Sequence, residues 1–188
     1  MAQHHALSAA ALRLIILAAT RTGEVIGMKW SEVDLDAALW TVPASRMKGG
    51  REHQVPPSEE AVALLRSIKP RPGNPHVFVG YVRGEALAHS TVLQFMRPLG
   101  HAKVTVHGFR SSFRDWITEQ TRYPREIVEA ALAPVDRDQV EAAYRRTTFL
   151  ERRREWMQAW AQFIAGAAAD NVVSLAGART PKGDAATA

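Results

Sequence analysis

Leu39-Trp40-Thr41-Val42-Pro43 and Glu52-His53-Gln54-Val55-Pro56 decide the fold class. Both are short runs carrying β-branched and aromatic residues. The segment between them is polar and holds Lys48-Gly49-Gly50, so the pair reads as an antiparallel hairpin with a longer-than-minimal turn. Lys48 then sits near the hairpin tip. On the N-terminal side, Leu12, Leu14, Ile15, Ile16 and Leu17 cover most of a helix surface, which predicts a buried helix over 7–19 capped by Ser8. A turn is expected at Thr20-Arg21-Thr22-Gly23. Val25, Ile26, Met28 and Trp30 predict a second short helix ended by a turn at Asp34-Leu35-Asp36. On the C-terminal side, Ser58 is an N-cap for a helix with core face Val62, Leu64, Leu65 and Ile68, broken by Pro70, Pro72, Gly73 and Pro75.

A short apolar strand, Val77-Phe78-Val79, follows. From Ser90 the periodicity is helical: 91–98 ending at Gly100, then 107–119, 125–133, 137–147 and a long last helix over 149–167. The fold class is therefore mainly α with a small antiparallel β-sheet, an α+β arrangement. Beyond Ala165 large apolar residues become scarce, which predicts a disordered tail from about Asn171. The domain organisation expected is one domain over 1–168 and a tail over 169–188.

With 188 residues the chain holds one domain of ordinary size and little more. Its 46% hydrophobic content supplies a core, and 24 Lys+Arg against 19 Asp+Glu leave a net charge of +5. That surplus makes an anionic partner plausible, nucleic acid first. The absence of Cys excludes disulfide scaffolds, thiolate metal sites and cysteine nucleophiles. The apolar stretch from Ala6 to Thr20 is interrupted by Ser8 and Arg13 and falls short of the roughly 20 residues of a membrane span. Met1-Ala2-Gln3-His4-His5 lacks the basic start of a secretory signal. No membrane partner and a cytoplasmic location are expected.

Three scattered places hold side chains suited to chemistry. In His107-Gly108-Phe109-Arg110 an imidazole and a guanidinium stand at i and i+3, hence on one helix face. Phe109 and Phe113 face the other way, with Trp116 near them, which predicts that the His107/Arg110 face is free. The competing reading is a polar pair satisfied locally. Arg21 lies at a helix break three residues before Glu24. There it presents a planar donor fork suited to two phosphate oxygens, or is a surface arginine. Tyr144, in Glu141-Ala142-Ala143-Tyr144-Arg145-Arg146-Thr147, is a phenol beside cations or an ordinary half-buried aromatic. Trp156, Met157, Trp160, Phe163 and Ile164 form an apolar stripe that closes the helix's own core. Arg145, Arg146 and Arg152 to Arg154 form either a solvated face or part of a phosphate-contacting surface.

The ordered set Arg21, Lys48, His107-x-x-Arg110, Tyr144 resembles the catalytic domain of tyrosine recombinases, specifically phage- and prophage-type integrases. The resemblance runs from about Leu14 to Phe163. It includes the segments Arg21-Thr22-Gly23-Glu24-Val25-Ile26-Gly27-Met28-Lys29-Trp30-Ser31-Glu32-Val33-Asp34, Arg46-Met47-Lys48, His53-Gln54-Val55-Pro56, Val106-His107-Gly108-Phe109-Arg110, Glu129-Ala130-Ala131-Leu132-Ala133 and Leu150-Glu151-Arg152-Arg153-Arg154. It implies site-specific recombination of double-stranded DNA through a 3′-phosphotyrosyl intermediate, with no metal or nucleotide cofactor.

In that scheme Tyr144 is the nucleophile, Arg21 and Arg110 clamp the phosphate, and His107 hydrogen-bonds it and acts as base. Lys48 is the general acid and Glu24 supports Arg21. Arg145, Arg146 and Lys103 contact DNA. A tetramer on DNA, a monomer without it and a bacterial or phage-infected cell are the implied settings, and the resemblance gives the apolar stripe of the last helix a second reading, as part of a C-terminal segment that reaches into a neighbouring protomer of that tetramer.

Two departures stand out. Where the family usually has a second histidine or a tryptophan, Pro134 offers no side-chain donor, which predicts reduced cleavage. The family's N-terminal DNA-binding domains are not in the sequence, which predicts weak, phosphate-dominated DNA binding. The rival expectation is a degenerate fragment acting only as a DNA-binding or protein-interaction module. A topoisomerase-like relaxer shares the chemistry and fits the local motifs less well.

Overall fold

A computed structural model describes residues 2–47, 49–100, 104–120, 128, 132 and 139–166, with the backbone alone for 2–4, 99 and 139–149. Helix α1 (Ala2–Ala18) is the axis of the fold, and Ala11, Leu14, Ile15, Leu17 and Ala18 are buried along it. It starts before the expected Ser8 cap, and Ser8 is buried inside it, 1% exposed. Alanines at positions 2, 6 and 9–11 are strong helix formers and extend the helix backward. Ala19 ends it in the left-handed region, φ +50°.

The expected second helix is shorter than its apolar pattern. Helix α2 (Thr22–Ile26) stops at Gly27, and a single 3₁₀ turn, Trp30–Glu32, follows. Between them the backbone spends its hydrogen bonds elsewhere: Trp30 N–H donates to the Pro75 carbonyl at 3.0 Å and Val77 N–H to that of Met28 at 2.9 Å. The same bonds explain why Val77-Phe78-Val79, though buried, makes only isolated bridges around it and joins no sheet.

The sheet is a three-stranded antiparallel meander, β1 (Val33–Asp34), β2 (Leu39–Val42) and β3 (His53–Val55), in the order β1-β2-β3. The expected hairpin is β2–β3, with Trp40 opposite Val55 and Val42 opposite His53. Strand β1 has only two residues and no alternation to reveal it. Its turn is set by the Asp34 carboxylate, which accepts from the Asp36 and Ala37 N–H groups at 3.0 and 2.8 Å.

Helix α3 (Glu59–Ser67) opens as expected, the Ser58 hydroxyl accepting from Ala61 N–H at 3.3 Å. It buries Ala61 and Leu65, while Val62, Leu64 and Ile68 are half-buried. Helix α4 (His89–Met96) ends through a 3₁₀ turn, Arg97–Leu99, at Gly100, whose φ of +78° suits glycine. Helix α5 (Val106–Gln120) starts at Thr105, whose hydroxyl accepts from Gly108 N–H at 3.0 Å. Helix α6 (Gln139–Ile164) is one continuous helix where the periodicity suggested a break near residue 148. Thr147 and Thr148 are weak helix formers, but no Gly or Pro interrupts the run. Of the expected helix over 125–133 only Val128 and Leu132 are described, both helical and buried. The expected tail lies outside the described residues.

Apolar packing forms two clusters joined through α1. One gathers α1 with Met28, Trp40, Val42, Val55, Leu65, Phe78 and Val92. The other gathers Phe113, Trp116, Ile117, Val128, Leu132, Trp156, Met157 and Trp160, with Ala19 and Ile16 at the junction. Trp160 stands edge-on to Phe113 at 5.4 Å, and its indole N–H donates to the Ile16 carbonyl at 2.8 Å. The α6 stripe closes this core through Trp156, Met157 and Trp160, while Phe163 and Ile164 remain exposed. Among the described residues no helix is long and apolar enough to cross a membrane.

Candidate functional site

The site forms where the end of α1, the start of α2, the inner face of β3, α5 and α6 meet. Arg21 occupies the N-cap position of α2 in extended backbone. Its Nη1 donates to Glu24 Oε1 at 2.8 Å, and its backbone N–H donates to Glu24 Oε2 at 3.1 Å. Glu24 is 4% exposed and the Arg21 side chain 37%. One buried carboxylate thus fixes an arginine whose side chain is 37% exposed.

Arg110 differs from expectation. Its helix face is not free: Nη1 donates to the Ala19 carbonyl at 2.8 Å and Nη2 to that of Leu132 at 2.6 Å. The left-handed turn at Ala19 leaves the last carbonyl of that turn without a helical partner, and the guanidinium takes it. Arg110 therefore ties three segments together, and its charge acts on the same imidazole, His53, as that of Arg21. His107, in the first turn of α5, is exposed. Phe109 and Phe113 hold α5 to the core as expected, Phe113 fully buried.

Lys48, Lys103 and Pro134 lie outside the described residues. Tyr144, Arg145 and Arg146 fall within α6, with their side chains outside the described part.

Two further residues belong here: His53, to which the sequence assigned no chemistry, and Arg153, which was expected on a solvated or phosphate-contacting face and is instead buried. His53 is 4% exposed on β3, and Arg153 is 6% exposed on α6. Arg153 Nη1 donates to the Gln54 carbonyl at 2.5 Å, and its Nη2 lies 3.4 Å from His53 Nε2. Burial, and then the charges of Arg153, Arg110 and Arg21, push the His53 imidazole down to about 3. It is neutral near pH 7. Burial and Arg110 lower Arg153 to about 10, which leaves it a cation. The sequence signals were present. His53 shares with Val55 the inward face of an alternating strand. Arg153 precedes Trp156, Met157 and Trp160 by three, four and seven residues, the spacing of a single helix face.

Two residues before Lys48, the chain is anchored by Arg46. Its Nη2 donates to Glu32 Oε2 at 2.8 Å and to the Glu24 carbonyl at 3.1 Å. Gly27 makes room for that side chain, because a Cβ there would collide with the Arg46 guanidinium. The local motif around Arg21 thus has a structural content: Glu24 holds one arginine, Gly27 admits another and Glu32 receives it.

Three guanidinium groups from three elements act on one imidazole, with Glu24 paired to one of them. Such a concentration of positive charge beside a surface arginine suits a phosphate-sized anion.

The most informative likenesses are to integrases. The chain is 36% identical over 161 residues to the prophage integrase IntA of Escherichia coli K12, covering 84% of this chain and 39% of that protein. It is 35% identical over 163 residues to prophage integrase IntZ of the same organism, covering 86% and 40%. To the tyrosine recombinase XerC of Xanthomonas campestris pv. campestris strain B100 it is 31% identical over 128 residues, covering 64% and 38%. The chain thus spans about two fifths of the length of these relatives. No solved structure matches it. The mainly helical fold with its small antiparallel sheet fits the same kinship, and since the model of the phage integrase family matches residues 2–151, the chain belongs to the phage integrase family.

Proposed function

We propose that this chain is the catalytic domain of a site-specific DNA recombinase, spanning residues 1–168, that cuts and rejoins DNA strands through Tyr144. The reading is supported above all by one observation: Arg21 and Arg110, far apart in sequence, both bear on the same buried imidazole, and each is fixed by hydrogen bonds, Arg21 to Glu24 and Arg110 to the Ala19 and Leu132 carbonyls. A pair of preset guanidiniums is what a pentacoordinate phosphorus needs, because donors already oriented cost no reorganisation when charge develops.

The step balances as follows. The Tyr144 phenol oxygen attacks phosphorus, and the bond to the 5′-oxygen breaks. The phenolic proton passes to His107, and the leaving oxygen takes a proton from the Lys48 ammonium. A phenol with a reference pKa near 10 is protonated at neutral pH, so the local positive field favours the phenolate in the transition state. A 3′-phosphotyrosine remains, and attack by another strand's 5′-hydroxyl reverses the step and exchanges strands. Double-stranded DNA is the partner, assembled on by a tetramer, with Arg145, Arg146 and Lys103 on its phosphates. The alternative, a fragment that only binds, makes no covalent product.

The test is covalent capture. Nicked duplexes are selected from a randomised pool for covalent attachment to the 188-residue chain, and the product is read on a denaturing gel. Attachment by the natural chain and none by Tyr144→Phe is the expected result. Capture of no duplex, or equal capture by the Phe variant, overturns the reading. The Pro134→His variant is expected to form the complex faster, since it restores a donor at the position the family usually fills.

A further inference from the structure

Among the described residues the proposed chemistry leaves two buried titratable side chains without a role, His53 and Arg153. A guanidinium held away from water costs several kcal/mol unless its partners offset the loss, and an apolar side chain of similar size fills such a place without that cost. Arg153 is 6% exposed, no carboxylate pairs with it among the described residues, and its Nε has no partner there. Both of its contacts fall on consecutive residues of one strand: the Gln54 carbonyl and the His53 ring. Because a guanidinium only donates, His53 Nε2 has to accept, which fixes the neutral ring with its proton on Nδ1.

The strand so gripped begins five residues after Lys48 in the sequence. Two residues before Lys48, the chain is tied by Arg46 to Glu32 and to the Glu24 carbonyl. After Lys48 the grip on His53 and Gln54 comes from α6. The second half of α6 is itself immobilised by Trp156, Met157 and Trp160 in the core, and Arg154 Nη1 donates to the Ala38 carbonyl at 3.0 Å. The same helix carries Tyr144, nine residues before Arg153, an axial rise of about 13 Å. The contact therefore registers strand β3 on the helix of the nucleophile.

We propose that His53 and Arg153 are positioning residues for the cleavage step: Arg153, set in α6, holds strand β3 through the His53 acceptor and so places the Lys48 ammonium at the leaving 5′-oxygen. This rests on the reading of Lys48 as proton donor and Tyr144 as nucleophile. The neutrality of His53 under three flanking guanidiniums, Arg21 on α2, Arg110 on α5 and Arg153 on α6, agrees with its acceptor role.

The test compares two leaving groups on one selected suicide duplex in single-turnover covalent capture. One duplex has the natural 5′-oxygen and the other a 5′-bridging sulfur, whose thiolate departs without a proton. If Lys48 is displaced, the oxygen substrate suffers and the sulfur substrate does not. For His53→Leu and Arg153→Met the rate on oxygen is expected to fall about 100-fold, the effect of a displacement near 1 Å, and the sulfur substrate to restore most of it. His53→Gln, whose amide oxygen accepts from Arg153, recovers most of the oxygen rate. The ratio of the two rates is independent of the folded fraction, so partial unfolding does not imitate the result.

Equal loss on both substrates, or no loss, overturns the proposal, as does His53→Gln behaving like His53→Leu. Lys48→Ala and Tyr144→Phe are run alongside. If Lys48→Ala is not rescued by sulfur, or Tyr144→Phe still forms product, the proposed function fails, independently of the outcome for His53 and Arg153.

Discussion

His53 makes a measurable demand on the protein at the scale of a single side chain. In the unfolded chain its imidazole takes a proton near pH 6.5, and in the fold only near pH 3, held down by burial, Arg153, Arg110 and Arg21. Between those values the unfolded state binds the extra proton, so stability falls as pH falls, by about 1.4 kcal/mol per unit for one group. Urea denaturation between pH 6.5 and 5 checks this. The natural chain is expected to lose stability across that window more steeply than His53→Gln, and parallel slopes would show that the ring titrates normally. For catalysis, Arg110→Ala removes the proposed phosphate donor and orphans the Ala19 and Leu132 carbonyls. Single-turnover capture is expected to slow by about 10²- to 10³-fold. Arg21, Glu24, His107 and Arg110 are legible as candidates because each sits in a local motif of fixed spacing. The lock on Arg110 is not, because its acceptors are backbone carbonyls that only folding brings near. Arg153 was hidden by its neighbours, since a run of arginines reads as a solvated face until one of them is seen to share the helix face of Trp156 and Trp160.

Among the elements, the hairpin and most helix boundaries could be read from alternation, caps and breakers, because these are local: Ser58 opens α3 and Gly100 closes the turn after α4. What could not be read was set by partners distant in sequence. The Met28–Trp30 stretch leaves the helix to bond with Pro75 and Val77, and β1 exists through its pairing with β2. The β1–β2 turn carries an improvable residue. Ala38 stands at φ +47°, where a Cβ is strained, so Ala38→Gly is expected to raise stability by about 1 kcal/mol. A thermal melt checks it, and a lower midpoint would contradict it. At the other extreme, Trp160 joins α6 to α1 through packing and its bond to Ile16. Truncation to Ala is expected to cost about 3–5 kcal/mol by denaturant unfolding.

For the molecule as a whole, the α1 axis, with one core on the sheet side and another on the α6 side, brings α2, β3, α5 and α6 to one place. There the charge is concentrated, although the net charge of +5 is modest. DNA binding by the chain is accordingly expected to weaken with salt, the logarithmic slope falling by about 0.9 for each phosphate contact removed. Replacing Arg145 and Arg146 together by Gln is expected to flatten it by about 2. If the proposed cleavage is right, a phenol oxygen of this chain ends up bonded to a DNA 3′-phosphate. Digesting the captured complex with nuclease and protease and locating the nucleotide mass on a peptide tests this at the bond itself. A 3′-phosphonucleotide on Tyr144 and on no other residue is expected, and an adduct on any other side chain, or on the 5′ end of the cut strand, would rule the mechanism out.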